Sequence, residues 1–175
     1  LIARSIPATL FLNGRWIDKN PGIFQKLASN PLFEIANHGT RHKPLSVTGR
    51  SVYGINGTQN IAEAVAEVEI NARKIKSLTG KRPRFFRSGT AFYDEISVKI
   101  AHTLGHEVAG YSVLGDAGAT YSRAQVKKAL LSAKPGDIIL LHMNRPGGMT
   151  AEGTKDGVLA LLAKGYRFVK LSLSD

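Results

Sequence analysis

Three features of the sequence predict an α/β fold built from parallel βα units, a sheet or a barrel. Short apolar runs alternate repeatedly with helical patterns along the 175 residues. Helix-starting and helix-stopping residues stand at the junctions between the two. Ionisable side chains gather where apolar runs end, and in parallel βα architectures the chemistry sits at the C-terminal ends of strands.

Taken in order, Ala8 to Leu12 is a buried-strand run closed by Asn13-Gly14, and Pro21 suits the first position of a helix carrying Ile23, Phe24 and Leu27. Phe33 to Asn37 is a second strand. Residues 43–59, with Pro44, Gly49, Gly54 and Gly57, have no clear period and read as a long loop, a kind of segment that is often functional. Asn60 and Glu63 cap the clearest helix, whose apolar stripe is Ile61, Val65, Val68, Ala72 and Ile75 and whose stop is Gly80. Arg84-Phe85-Phe86 is a short strand, and Asp94 starts a helix with Ile96, Ile100 and Leu104 that Gly105 ends. Glu107 to Val113 follows as a strand that runs into the turn Gly115 to Gly118. Ser122 and Gln125 form a capping box for a helix through Leu131. Asp137 to His142 is a strand, Thr150 opens a helix with Val158, Leu159 and Leu162, and Arg167 to Leu171 closes the chain as a last strand.

The length fits one domain over residues 1–175, and 43% apolar with 21% charged residues is ordinary for a globular protein. The charge is less ordinary: 24 Lys and Arg against 13 Asp and Glu give +11, which favours anionic partners. Scattered basic residues and few aromatics argue against a nucleic-acid groove with stacking platforms. No apolar run approaches a membrane span, and the absence of cysteine removes disulfides and thiolate metal sites. The chain opens on Leu1-Ile2-Ala3-Arg4-Ser5 without an initiator Met, so the expectation is a protein that begins further upstream.

The stretch Asn37-His38-Gly39-Thr40-Arg41-His42 follows a strand directly. If residues 38–42 make a helical turn, two imidazoles at i and i+4 share a face and can address one ion, with room left for a carboxylate and water. A pair of surface histidines on a loop is the alternative. Arg87, Asp116 and His142 also fall after strands, so four strands would deliver ionisable groups to one face. His102 and His106 share the four-residue spacing, but one is inside a helix and the other starts a strand; they read as structural or solvent-facing.

Ile6 to Phe11, His38 to His42, Phe85 to Gly89 and Leu140 to His142 together resemble, in order and spacing, the motifs of polysaccharide deacetylases with a NodB-type domain, carbohydrate esterase family 4. The resemblance runs over nearly the whole chain. It implies a deformed (β/α) barrel with about seven strands, the first of them missing from this chain, and a single metal held by an Asp-His-His triad. In that pattern His38 and His42 are the metal histidines, Arg87 braces the catalytic base and His142 is the general acid. The aspartates of the first motif would lie upstream of Leu1. Gly39 stands where the family has Ser or Thr, and Ser88-Gly89-Thr90 replaces a Pro-rich segment. The aspartate-tryptophan pair that orients the catalytic histidine has no clean match; Asp116 is the carboxylate nearby.

The implied chemistry is metal-assisted removal of N-acetyl or O-acetyl groups from a polysaccharide such as peptidoglycan or a chitin-like glycan, with zinc as the first choice of ion and cobalt or nickel as alternatives. The expected location is secreted, periplasmic or envelope-associated, and the expected partners are an N-acetylated glycan and an anionic wall polymer. Two other readings use the same residues: an amidohydrolase acting on a small amide, and a non-catalytic wall-binding domain of the same fold.

Overall fold

β1 (Ala8–Leu12) and β2 (Phe33–Asn37) run parallel, in register from Ala8 opposite Phe33 to Leu12 opposite Asn37. The structure is a computed structural model that describes residues 1–173. The chain forms two compact units, one of Pro7–Ala109 with Lys170–Ser172, the other of Leu1–Ile6 with Gly110–Val169.

In the larger unit the sheet order is β1, β2, β3 (Phe85–Phe86), β4 (Glu107–Val108), all parallel. Between β1 and β2 lie α1 (Gly14–Lys19), which the Asn13-Gly14 turn signal did not reveal, and α2 (Pro21–Ala28). The Asn13 side chain accepts from Trp16 N, so this residue starts a helix as well as ending a strand. Leu10, Leu12, Ile17, Phe24 and Ile75 make one buried cluster. A second is built from Leu45, Ala64, Val68, Phe86 and Ala101.

α3 (Ile61–Thr79) starts at Asn60, whose side chain accepts from Glu63 N, and stops at Gly80 with φ 75°. Its inward face differs from the expected stripe. Ala64, Glu67, Val68, Asn71, Ala72 and Ile75 are buried, whereas Ile61 is 58% exposed. The reciprocal half of the cap goes elsewhere too: Glu63 accepts from Gln59 N and pairs with Lys43. α4 (Glu95–Thr103) is capped by Asp94, and small residues, Ser97 and Ala101, face inward while Ile96 lies outside.

The stretch 107–113 is not one strand. It divides at Gly110 into β4 and β5 (Val113–Leu114), which belong to different units and different sheets. In the smaller unit β5 pairs in parallel with β6 (Ile139–Leu140), the core of the strand expected over 137–142. α5 (Arg123–Leu131) carries both hydrogen bonds of the Ser122 and Gln125 capping box. α6 (Thr150–Ala163) packs against it. Gly153 and Gly157 make that contact close, because a methyl group at either would overlap Val126 or Leu130. Residues 167–170 form no strand; Leu171 N instead donates to Thr9 Oγ1 at the start of a 3₁₀ turn.

The six described strands therefore lie in two parallel sheets of four and two. Among the described residues no helix is long and apolar enough to cross a membrane.

Candidate active site

The loop after β2 places His38 and His42 with ring centroids 4.7 Å apart and planes at 85°. The i, i+4 helical turn expected there is not what joins them. Gly39 has φ 76° and His42 has φ 63°, so the chain turns through two left-handed residues. His38 Nδ1 lies 2.8 Å from the carbonyl oxygen of Arg87. A carbonyl only accepts, so Nδ1 carries the proton and the lone pair of the neutral ring is at Nε2.

Two polar residues on the buried face of α3 hold this loop. Glu67 Oε1 accepts from Arg41 N at 2.9 Å and Lys43 N at 3.1 Å, and Oε2 accepts from Arg41 N at 3.0 Å. Burial pushes the Glu67 carboxyl above its ordinary value, against the opposing pull of these N–H groups. Thr40 N donates to the Glu67 carbonyl at 2.8 Å. Asn71 Nδ2 bridges Leu12 O at 2.9 Å and Asn37 Oδ1 at 2.7 Å, tying α3 to the ends of β1 and β2. Sequence reasoning missed both residues. The signal was there in Glu67 and Asn71 at i and i+4, interleaved with Val68 and Ala72 on one helix face.

Two glycines complete the arrangement. A Cβ on Gly39 would overlap the Glu67 carboxylate, and one on Gly89 would overlap the His42 backbone. The Ser88-Gly89 departure is thus a seat for the histidine loop. Arg87 is buried, its Nε donating to Ala109 O at 2.9 Å and its guanidinium carbon 4.2 Å from the centre of the Phe11 ring.

The smaller unit brings Asp116 and His142 together. Pairing of β5 with β6 sets Gly115 N on Leu140 O, so the residues just beyond each strand are neighbours. Asp116 Oδ1 lies 2.7 Å from His142 Nδ1, while Oδ2 accepts from His142 N at 2.7 Å and Thr150 Oγ1 at 3.0 Å. Burial would raise the Asp116 carboxyl, but the His142 and Thr150 bonds outweigh it and hold the group below its ordinary value. An ionised Asp116 only accepts, so the His142 hydrogen facing it is on Nδ1 and Nε2 lies on the far side of the ring. Ala117 and Ala119, at φ 45° and 64°, carry the strained turn that delivers this carboxylate.

The remaining histidines behave as structural groups. His102 is exposed in the last turn of α4, and His106 is buried against Phe86 with Nε2 3.3 Å from the Arg82 guanidinium. Burial, then the Arg82 charge, lower the His106 pKa and keep the ring neutral. Asp18, exposed on α1, pairs with Lys74 as a surface charge. Among the described residues no third carboxylate, imidazole or thiolate joins the His38 and His42 pair. Two adjacent imidazoles, that of His38 with its tautomer set by the Arg87 carbonyl, nevertheless fit part of a first-row divalent site.

Residues 1–109 match the family model described as polysaccharide deacetylase. The chain belongs to the polysaccharide deacetylase family. A bifunctional xylanase/deacetylase of Pseudobutyrivibrio xylanivorans is 25% identical over 169 residues, which are 96% of this chain and 26% of that protein. A CE4 family pseudoenzyme from Bacillus anthracis has the same fold, with a TM-score of 0.83 at 22% identity over 100% of this chain and 58% of that one. The Bc1960 peptidoglycan N-acetylglucosamine deacetylase, in complex with 4-naphthalen-1-yl-N-oxidanyl-benzamide, gives a TM-score of 0.83 at 25% identity over 98% and 76% of the two chains. This deacetylase-family chain thus spans about a quarter of the curated relative and less than two thirds of the pseudoenzyme.

Proposed function

We propose that the chain is the hydrolytic domain of a metal-dependent deacetylase that removes N-acetyl or O-acetyl groups from a polysaccharide such as peptidoglycan or a chitin-like glycan. The observation that carries this reading is the His38 and His42 pair, with the His38 tautomer set by the Arg87 carbonyl. His38 and His42 would hold the ion, zinc by preference and cobalt or nickel as alternatives, and the family resemblance implies an aspartate as the third ligand. The chemistry such an ion supplies when bound is Lewis acidity toward the acyl carbonyl and acidification of a water.

The chain's own residues supply the rest. Asp116 holds the proton on His142 Nδ1, so His142 Nε2 is the atom that carries and donates a proton to the leaving amine, a contribution of about 10²- to 10⁴-fold. Arg87, anchored through Ala109 O and Phe11, would brace the base electrostatically. The named deacetylase relatives support an acetylated glycan as substrate, and a peptidoglycan relative supports an envelope or extracellular site of action.

The test is metal content by mass spectrometry with acetate release from N-acetylglucosamine oligomers, acetylated xylan and a small acetamide. His38→Ala and His42→Ala should lose most bound zinc and all turnover, while His102→Ala keeps both. Equal zinc in the three variants would refute the site. Turnover confined to the small acetamide would favour the small-amide reading, and zinc-independent glycan binding without acetate release would favour a non-catalytic domain.

A further inference from the structure

The larger unit contains an open cavity of about 400 Å³ lined by Arg15, Arg41, His42, Lys43, Ile55 and Asn56. Arginine and lysine supply half of these residues, and no carboxylate is among them. Their backbones are held in place. Gly14 N donates to Gly39 O at 2.9 Å and Arg15 N to Thr40 O at 3.3 Å, which staples the start of α1 to the histidine loop. Arg41 N and Lys43 N rest on the Glu67 carboxylate beneath the loop. Ile55, also in the lining, belongs to a closed turn: Val52 and Ile55 exchange backbone hydrogen bonds at 3.0 Å around Tyr53 and Gly54, both with positive φ. Asn56 Oδ1 accepts from Ser51 Oγ at 2.7 Å, so the amide nitrogen of Asn56 remains a donor.

The charges are available as well as placed. Among the described residues neither Arg15 nor Arg41 has a carboxylate partner, and Lys43 has only the partly exposed Glu63 at 3.3 Å. A guanidinium fork matches the two oxygens of a carboxylate or phosphate, and two such forks around one cavity concentrate positive potential that a scattered surface charge would not. A cavity of this size accepts about one substituted sugar ring.

We infer that this cavity is an anion subsite beside the histidine pair, which takes the carboxylate or phosphate of an acidic substituent on the glycan. The identity of the glycan rests on the deacetylase reading above; the anion specificity rests on the cavity alone. An acidic group held by Arg15 and Arg41 would select charged glycans over neutral ones and fix which residue of the chain is presented to His42.

The test is calorimetric binding by the whole chain with three probes: a neutral N-acetylglucosamine tetramer, a matched tetramer whose alternate sugars carry a carboxylate-bearing ether, and a glycerol-phosphate oligomer. An acidic probe should bind about tenfold tighter than the neutral tetramer at low salt, and Arg15→Gln and Arg41→Gln should each remove about three- to fivefold of that preference. Which acidic probe is preferred identifies the source of the anion. Lys76→Gln and Lys99→Gln remove the same charge from exposed helix surfaces outside the cavity and should leave the preference intact. Equal weakening by these controls would assign the effect to the overall +11 charge and overturn the subsite. So would equal or absent binding of the acidic probes by the parent chain. Lack of acetate release from every oligomer would instead count against the deacetylase reading and leave the binding comparison standing.

Discussion

Removing the Glu67 side chain tests the link between α3 and the histidine pair most directly. Glu67→Ala strips the acceptor from two backbone N–H groups, those of Arg41 and Lys43, beneath a loop whose register positions both imidazoles. Each buried donor left unpaired costs about 1–3 kcal/mol, and water entering the vacated space together with relief of the carboxylate's own burial brings the net to about 2–3 kcal/mol. Zinc affinity should fall about tenfold, the usual scale for groups that orient ligands from behind. Glu67→Gln keeps the volume and the Oε1 acceptor while discarding a desolvated charge, so its cost at neutral pH should stay within about 1 kcal/mol. The two variants also differ in pH dependence from the parent. Burial raises the native carboxyl above 4.5, so the native state holds the proton more tightly than the unfolded chain does. The contribution of this group is therefore fully present below about 4.5 and is lost as pH rises through the native value. Urea unfolding from pH 4 to 8 should show the parent losing stability relative to Glu67→Gln across that window. Parent-like unfolding midpoints and zinc affinity in Glu67→Ala would refute the reasoning.

Other outcomes follow from the same contacts. Asp116→Asn and His142→Ala should each retain bound zinc and lower kcat about hundredfold or more, and the double variant should be no worse than the worse single one, because the pair acts as one unit; additive losses in steady-state kinetics would separate their roles. Glu69 is held at about 2 by Arg82, against some opposing burial and with help from Arg73. Its depressed carboxyl contributes stability above 4.5 that is lost as pH falls toward 2, so Glu69→Gln should cost about 1–2 kcal/mol at pH 7 and little at pH 2.5 by urea titration. Gly157→Ala should lower the melting stability by about 1–2 kcal/mol through overlap with Leu130, whereas Gly22→Ala, with open space around it, should raise it by about 0.5 kcal/mol in calorimetry.

The sequence carried what is local. Asn60, Asp94 and Ser122 cap the helices assigned to them because a cap needs only the next three residues. β1 and β2 matched their apolar runs for the same reason. The errors came where a partner decides the outcome. Phe168, Val169 and Leu171 have strand-like composition, but residues 167–170 pair with no strand among the described residues, and Thr9 captures Leu171 N instead. Gly110 divides a run whose halves pair with Phe85 and Phe86 on one side and Ile139 and Leu140 on the other. The Asp116 contact with His142 is equally non-local, since it spans 26 residues and exists only because β5 lies beside β6. Glu67 and Asn71 went unread because a polar residue on a helix looks solvated until the loop that uses it is in place.

The close crossing of α5 and α6 sets a dimensional tolerance on a contact made at the N-terminal end of the latter helix. Thr150 is the first residue of α6, and its hydroxyl reaches Asp116 only while that helix end stays where Gly153 and Gly157 let it rest. Two positions with no charge, no hydrogen-bonding side chain and no exposure therefore act as a spacer gauge for the Asp116 and His142 pair. Enlarging either would shift the start of α6 relative to Asp116 as well as loosen the α5 and α6 contact, so surveys of variants that score side-chain chemistry alone would overlook both.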